Sequence, residues 1–213
     1  MKIDFDFAKT IKGFILDSEA ERLYEIALKA AESGPCLEIG SYCGKSAYFI
    51  GMACKKNNSI LFSLDHHRGS EEQQPGEEYF DPELLEKGVY AEKKPRINTF
   101  NIFRNTIERA RLEDVVVPIV AESCVAGRMW STPLSMVFID GGHSFDAAEN
   151  DYKIWSPHIM DNGFLVIHDI FMDPEKGGQA PRYIYEKAVD SGLYENMGIT
   201  NTLGVLKKKK KTK

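Results

Sequence analysis

Short apolar runs alternate with longer amphipathic stretches along the whole chain. The runs at 36–39, 60–64, 115–120, 136–139 and 164–167 are rich in β-branched and aromatic residues and too short for helices, so each predicts a strand. The stretches at 45–54, 97–109, 145–159 and 182–191 carry apolar residues at three- and four-residue spacings and predict helices. A further helix precedes the first strand. Ser18-x-x-Glu21 reads as its capping box, Ala20, Leu23, Tyr24, Ala27 and Ala30 form its apolar face, and Gly34-Pro35 stops it. The end of the chain predicts a hairpin, with arms at 194–199 and 203–206 about a turn at Asn201-Thr202.

This alternation predicts an α/β fold: a Rossmann-like, doubly wound, mostly parallel seven-stranded sheet with a C-terminal antiparallel hairpin. Residues 1–34 give an N-terminal lead and helix, 35–206 one domain, and 207–213 a solvated tail of six lysines and one threonine. The polar segment 66–80 is too long for a plain connector, and the stretches 68–80 and 172–182 are expected to fold over a substrate as lids.

In such sheets ligands bind beyond the carboxyl ends of the strands. The residues there are chemically rich. Glu38 and Gly40 follow strand one, and Asp65, His66 and His67 follow strand two. Glu122 and Ser123 follow strand three, Asp140 and His143 strand four, and His168 and Asp169 strand five. Four of the five histidines in the chain fall on this one rim, and only His158 lies elsewhere.

The turn after strand one, Leu37-Glu-Ile-Gly-Ser-Tyr-Cys-Gly-Lys-Ser46, is the most informative segment. Its spacing is Glu-x-Gly-x-x-x-Gly, not the Gly-x-Gly-x-x-Gly of a dinucleotide site. An acid in the turn repels phosphate and attracts an ammonium group or ribose hydroxyls. The ligand that fits is S-adenosylmethionine (SAM), which has an amino-acid end, a ribose and no phosphate. Asp65 is placed to accept from those ribose hydroxyls, or else caps local N–H groups as a turn aspartate. Asp140 and Asp169 end strands that would be neighbours. Two converging carboxylates repel unless a proton or cation lies between them, and magnesium is the simplest cation. His168 beside them would be a further ligand, and an imidazole in the shell favours manganese, zinc or iron. His143 follows two glycines and reads either as a general base or as a helix cap.

The bulk composition narrows the field. The chain has 213 residues, 43% hydrophobic and 28% charged, with a net charge of −5, which argues against a general nucleic-acid binder. No secretory signal and no apolar run near membrane-spanning length is evident, so a cytoplasmic protein with no membrane partner is expected. Cys36, Cys43, Cys54 and Cys124 show no paired metal spacing, and the first three read as reduced packing residues.

The strand-one turn resembles the cofactor turn of catechol O-methyltransferase-like, class I SAM-dependent methyltransferases. Phe138-Ile-Asp-Gly-Gly-His-Ser144 and Gly163-Phe-Leu-Val-Ile-His-Asp169 are more similar to a bacterial branch that includes macrolide-sugar O-methyltransferases. The resemblance implies that Glu38, Gly40, Tyr42 and Ser46 hold the methionine end of SAM and Asp65 the ribose, with Ser41, Gly44 and His66 also expected at the cofactor. It further implies that Ser123 lies near the adenine, and Glu122 and Asp140 are expected at the cofactor as well. Asp140 and Asp169 would hold magnesium and His143 would be the base. Relatives carry an acid where this chain has His168. The activity implied is metal-assisted methylation of a hydroxyl on a small polar molecule, with a homo-oligomer left open. A metal-dependent hydroxylase or hydrolase on the same rim, and a SAM-binding protein without catalysis, stand as alternatives. A nicotinamide site is disfavoured by the missing glycine motif.

Overall fold

A computed structural model describes residues 3–86 and 96–211 of the protein. The two ends of the expected tail and lead lie outside the described residues. In chain order the elements are α1 (Phe5–Lys9), α2 (Asp17–Ala31), β1 (Cys36–Ile39), α3 (Lys45–Lys56), β2 (Leu61–Asp65), α4 (Phe100–Arg109) and β3 (Val116–Val120). They continue with α5 (Ser123–Ala126), β4 (Leu134–Ile139), α6 (Phe145–Trp155), β5 (Ile159–Ile167), α7 (Ala180–Asp190), β6 (Tyr194–Thr200) and β7 (Leu203–Lys208).

The strands form one seven-stranded sheet in the order β3-β2-β1-β4-β5-β7-β6. β1 pairs in parallel with β2 and β4, β2 with β3, and β4 with β5, whereas β7 runs antiparallel to both β5 and β6. This is the doubly wound, mostly parallel sheet with a terminal hairpin. The chain winds outward from β1 to β3, then returns to β4 on the other side of β1. The strand order therefore reverses between β1 and β4, where diverging loops open a crevice.

Alternation along each strand sends side chains to two helical layers. Cys36, Met136, Phe138, Phe164 and Val166 pack with α1 to α4, where Ala8, Leu23, Phe49 and Phe103 are buried. Leu37, Ile39, Val137, Ile139, Leu165 and Ile167 pack with α6 and α7, against Trp155 and Ile184. The N-terminal lead thus shares a core with the sheet.

Local details differ from the pattern-based expectations. α2 starts one residue before Ser18, and its first turn is closed by Glu19, whose carboxylate accepts the Leu16 N–H at 2.9 Å. The Ser18/Glu21 box is not used. β5 runs from Ile159 through the Asn162-Gly163 bend, where Asn162 has a φ of 65°. β7 takes in Lys207 and Lys208, and the Lys208 ammonium donates to the carbonyls of Ser156 and Ile159. The first two tail lysines therefore belong to the sheet. No described helix is long and apolar enough to cross a membrane.

Candidate active site

A cavity of about 1040 Å³ opens at the carboxyl ends of β1, β2, β4 and β5. Its floor is the turn after β1. Gly40 has a φ of 86°, and Tyr42 a φ of 46°. Gly40 lies so close to β4 that a Cβ on it would sit 2.0 Å from the Asp140 carbonyl oxygen. Gly44, φ 92°, is the N-cap of α3 and packs against Phe103 and Thr106, away from the cavity wall.

Asp65 holds this turn in place. Its Oδ2 accepts the N–H groups of Ser41 at 3.0 Å and Tyr42 at 2.8 Å, and its Oδ1 accepts the His67 N–H at 2.7 Å. The capping reading of Asp65 is met, and the residue also lines the cavity. Ser41 also lines the cavity and is 2% exposed, yet its hydroxyl has no hydrogen-bond partner among the described residues. His66, Glu122 and Ser123 stand farther along the same wall. His67 is turned inward, with Nδ1 2.7 Å from the Thr99 hydroxyl and its ring against Phe100 and Phe103.

Glu38 is not where the sequence reading put it. The acid is fully buried and absent from the cavity wall. Alternation puts it on the Cys36 face of β1, with Ser63 directly across on β2. Ser46 donates to Oε2 at 2.9 Å and Ser63 donates to Oε1. Burial pushes the Glu38 carboxyl up to about 8 despite those two donors. Ser46 borders the cavity, but its hydroxyl is directed to Glu38.

This sets a pH dependence with a definite sign. A carboxyl whose pKa rises on folding stabilises the native state below its unfolded value and loses that contribution as pH climbs to the folded value. Wild-type stability should therefore fall between about pH 4.5 and 8 through Glu38, by up to about 4 kcal/mol. Urea titrations across that range should show Glu38→Gln flattening the fall. S-adenosylhomocysteine (SAH) affinity should stay within about twofold, since no ligand contact is removed. A tenfold loss of SAH affinity in Glu38→Gln would return the residue to the ligand.

The opposite wall carries the titrating groups. Asp140, His143 and Asp169 each offer one atom within 4.8 Å of the others. His143 Nε2 lies 3.1 Å from Asp169 Oδ2, and Nδ1 lies 2.9 Å from Glu72 Oε2. Its hydrogen bond to Asp169 raises the His143 pKa to about 9 against the effect of burial, with Glu72 and Asp140 adding to it. His143 does not cap α6: the Ser144 hydroxyl does, accepting the Ala147 N–H. Asp169 has a φ of 59°, which turns its side chain back toward the cavity.

His168 was expected among the metal ligands. Its ring is 4% exposed, and both nitrogens are taken by carboxylates. Nδ1 is 3.0 Å from Asp140 Oδ1 and 3.4 Å from Asp169 Oδ1, and Nε2 is 3.1 Å from Glu19 Oε2. The residue that joins the two acids in the cluster is His143.

Residues 37–170 match the family model described as a methyltransferase domain. The chain belongs to the methyltransferase family. Solved structures share the fold at low identity. One is the O-methyltransferase NovP, 13% identical with a TM-score of 0.65, covering 91% of this chain and 80% of that one. A putative caffeoyl-CoA O-methyltransferase from Staphylococcus aureus is 11% identical with a TM-score of 0.64, covering 96% and 88%. An O-methyltransferase from Bacillus cereus, solved with SAH, is 14% identical with a TM-score of 0.60, covering 97% and 87%.

Two residues of the methyltransferase's cavity were missed by sequence reasoning. Glu72 sits in the 66–80 segment, whose length was the only signal for it. Glu19 reaches His168 from a position 149 residues away, a pairing that has no local signature.

Proposed function

We propose that the protein transfers the methyl group of SAM to a hydroxyl of a small polar molecule, assisted by a divalent cation. The observation that carries this reading is the convergence of Asp140, His143 and Asp169 in the same cavity as the strand-one turn. The turn suits the cofactor: the Ser41 hydroxyl, buried at the cavity and without a partner among the described residues, offers a donor to an amino-acid carboxylate. In this reading Ser41 and Tyr42 hold the methionine end, Asp65 and His66 the ribose, and Glu122 and Ser123 the adenine side. Glu38 acts from behind by fixing Ser46 and the end of β1.

The paired carboxylates of Asp140 and Asp169 suit a divalent cation. Asp140 and Asp169 would hold it, and when bound it supplies a Lewis acid that lowers the pKa of an acceptor hydroxyl. His143 removes the hydroxyl proton as the methyl is transferred. Glu72 on Nδ1 fixes the ring, and Nε2 faces Asp169. Nε2 would be free to receive the proton once the Asp169 carboxylate was drawn off it to a bound cation, since that contact is what chiefly holds the ring protonated. The segment carrying Glu72 and the stretch from Phe171 to Gly178 wall off the cavity and exclude water.

Incubation with SAM and a panel of hydroxylated acceptors tests the reading. SAH release should require an acceptor hydroxyl, fall on chelation with EDTA and return with magnesium. Release indifferent to EDTA would strike out the cation, and transfer to nitrogen or carbon acceptors alone would strike out the oxygen chemistry.

A further inference from the structure

Glu19 lies on α2, outside the segment that matches the methyltransferase family. It is 1% exposed, and every lone-pair direction of its carboxylate is used. Oε1 accepts the Thr202 N–H at 2.9 Å and the Thr202 hydroxyl at 2.8 Å. Oε2 accepts the Leu16 N–H at 2.9 Å and faces His168 Nε2 at 3.1 Å. Burying a carboxylate this completely costs several kcal/mol unless each oxygen is matched, and here each one is.

A tether between α2 and the β6–β7 turn needs only the Thr202 bonds. The bond to His168 goes further, because the far nitrogen of that ring meets Asp140 at 3.0 Å and Asp169 at 3.4 Å. The two acids at the head of the cavity thus share one imidazole, and that imidazole has a single partner beneath it. Strand alternation explains the placement: His168 continues the Phe164/Val166 face, which looks toward α2.

We propose that Glu19 is a positioning residue for the methyl-transfer site: acting through His168, it fixes the carboxylates of Asp140 and Asp169 in the cavity. The N-terminal helix and the β6–β7 turn, which the family segment does not include, thereby set the geometry at which the acceptor is held. The inference rests on the methyl-transfer reading for its role, but the linkage itself does not. An imidazole clamped from below cannot swing away when the acids take up a ligand. Partners of this kind, one shell removed from the reacting groups, govern affinity and rate through orientation.

The test uses the full chain in four forms beside wild type: Glu19→Gln, His168→Asn, the double variant, and Ser18→Ala. Ser18 is the control, because its hydroxyl accepts from Asn201 at 2.7 Å and so ties α2 to the same turn without touching His168. His168→Asn keeps a donor near the Nδ1 position and removes the link to Glu19. The first readout is the side-chain carboxyl ¹³C resonance of Asp140 and Asp169, and the second is SAH affinity by calorimetry.

Glu19→Gln and His168→Asn should move the Asp140 resonance in the same direction and each weaken SAH by about tenfold. The double variant should be no weaker than the weaker single, and Ser18→Ala should leave both readouts at wild type. An unmoved Asp140 resonance in Glu19→Gln, or losses that add in the double variant, would overturn the proposal. If Glu19→Gln does not fold, His168→Asn decides alone: wild-type resonances and affinity there would also overturn it. Failure of the wild type to bind SAH would instead count against the methyl-transfer reading, while the resonance comparison would still decide the linkage.

Discussion

Gly40→Ala should abolish SAH binding and cost the fold at least about 4 kcal/mol. The added Cβ would stand 2.0 Å from the Asp140 carbonyl oxygen, 2.6 Å from its carbon and 3.0 Å from the Gly141 Cα. All three are backbone atoms, so no side chain can rotate out of the way. The main chain there is held from two sides: the Gly40 N–H donates to Leu64 on β2, and the Asp140 N–H donates to Ile39 on β1. The φ of 86° at Gly40 adds a strain that only glycine avoids. Relief requires β1 and β4 to part at the switch point, where Asp140 and the cofactor turn meet. Urea denaturation with SAH calorimetry on any folded fraction checks this, and a variant within about 1 kcal/mol of wild type would show that the close approach is not fixed.

His143→Ala should leave SAH affinity unchanged and lower methyl transfer by about 10²- to 10⁴-fold, the usual range for a lost general base. The ring lies between Asp169 and Glu72, and its hydrogen bonds among the described residues go to those acids rather than to the strand-one turn, so cofactor binding should not depend on it. Single-turnover release of SAH with a hydroxylated acceptor measures the effect. An unchanged rate would take His143 out of the mechanism and leave the acids as the only reacting groups at that wall.

Much of the fold is legible in the sequence because each strand is a compact apolar run bounded by a turn residue. β1 begins and ends where the pattern places it, and Asp65, Asp140 and Asp169 stand at strand ends as the alternation requires. What the pattern hides is the direction of a side chain at a strand end. Glu38 looked like a ligand group because it precedes a glycine turn. Its parity with Cys36 and its register with Ser63 send it into the α2/α3 layer instead. Parity carried through Phe164, Val166 and His168 would have given the same warning for His168. Its partner Glu19 could not be found that way, since nothing local links a helix-opening acid to a histidine 149 residues on. The capping of α2 shows the same limit, because Ser18/Glu21 fits the motif as well as Leu16/Glu19 fits the geometry.

The cofactor turn is where the account is most exposed. Asp65 accepts three backbone N–H groups that shape the turn, and it faces the cavity that the turn floors. Calorimetric titration of SAH into wild type and Asp65→Ala tests this directly. One site should appear in wild type, with affinity at least about tenfold weaker in the variant as the turn loses those acceptors. No binding to wild type, or equal affinity in the two proteins, would contradict the account.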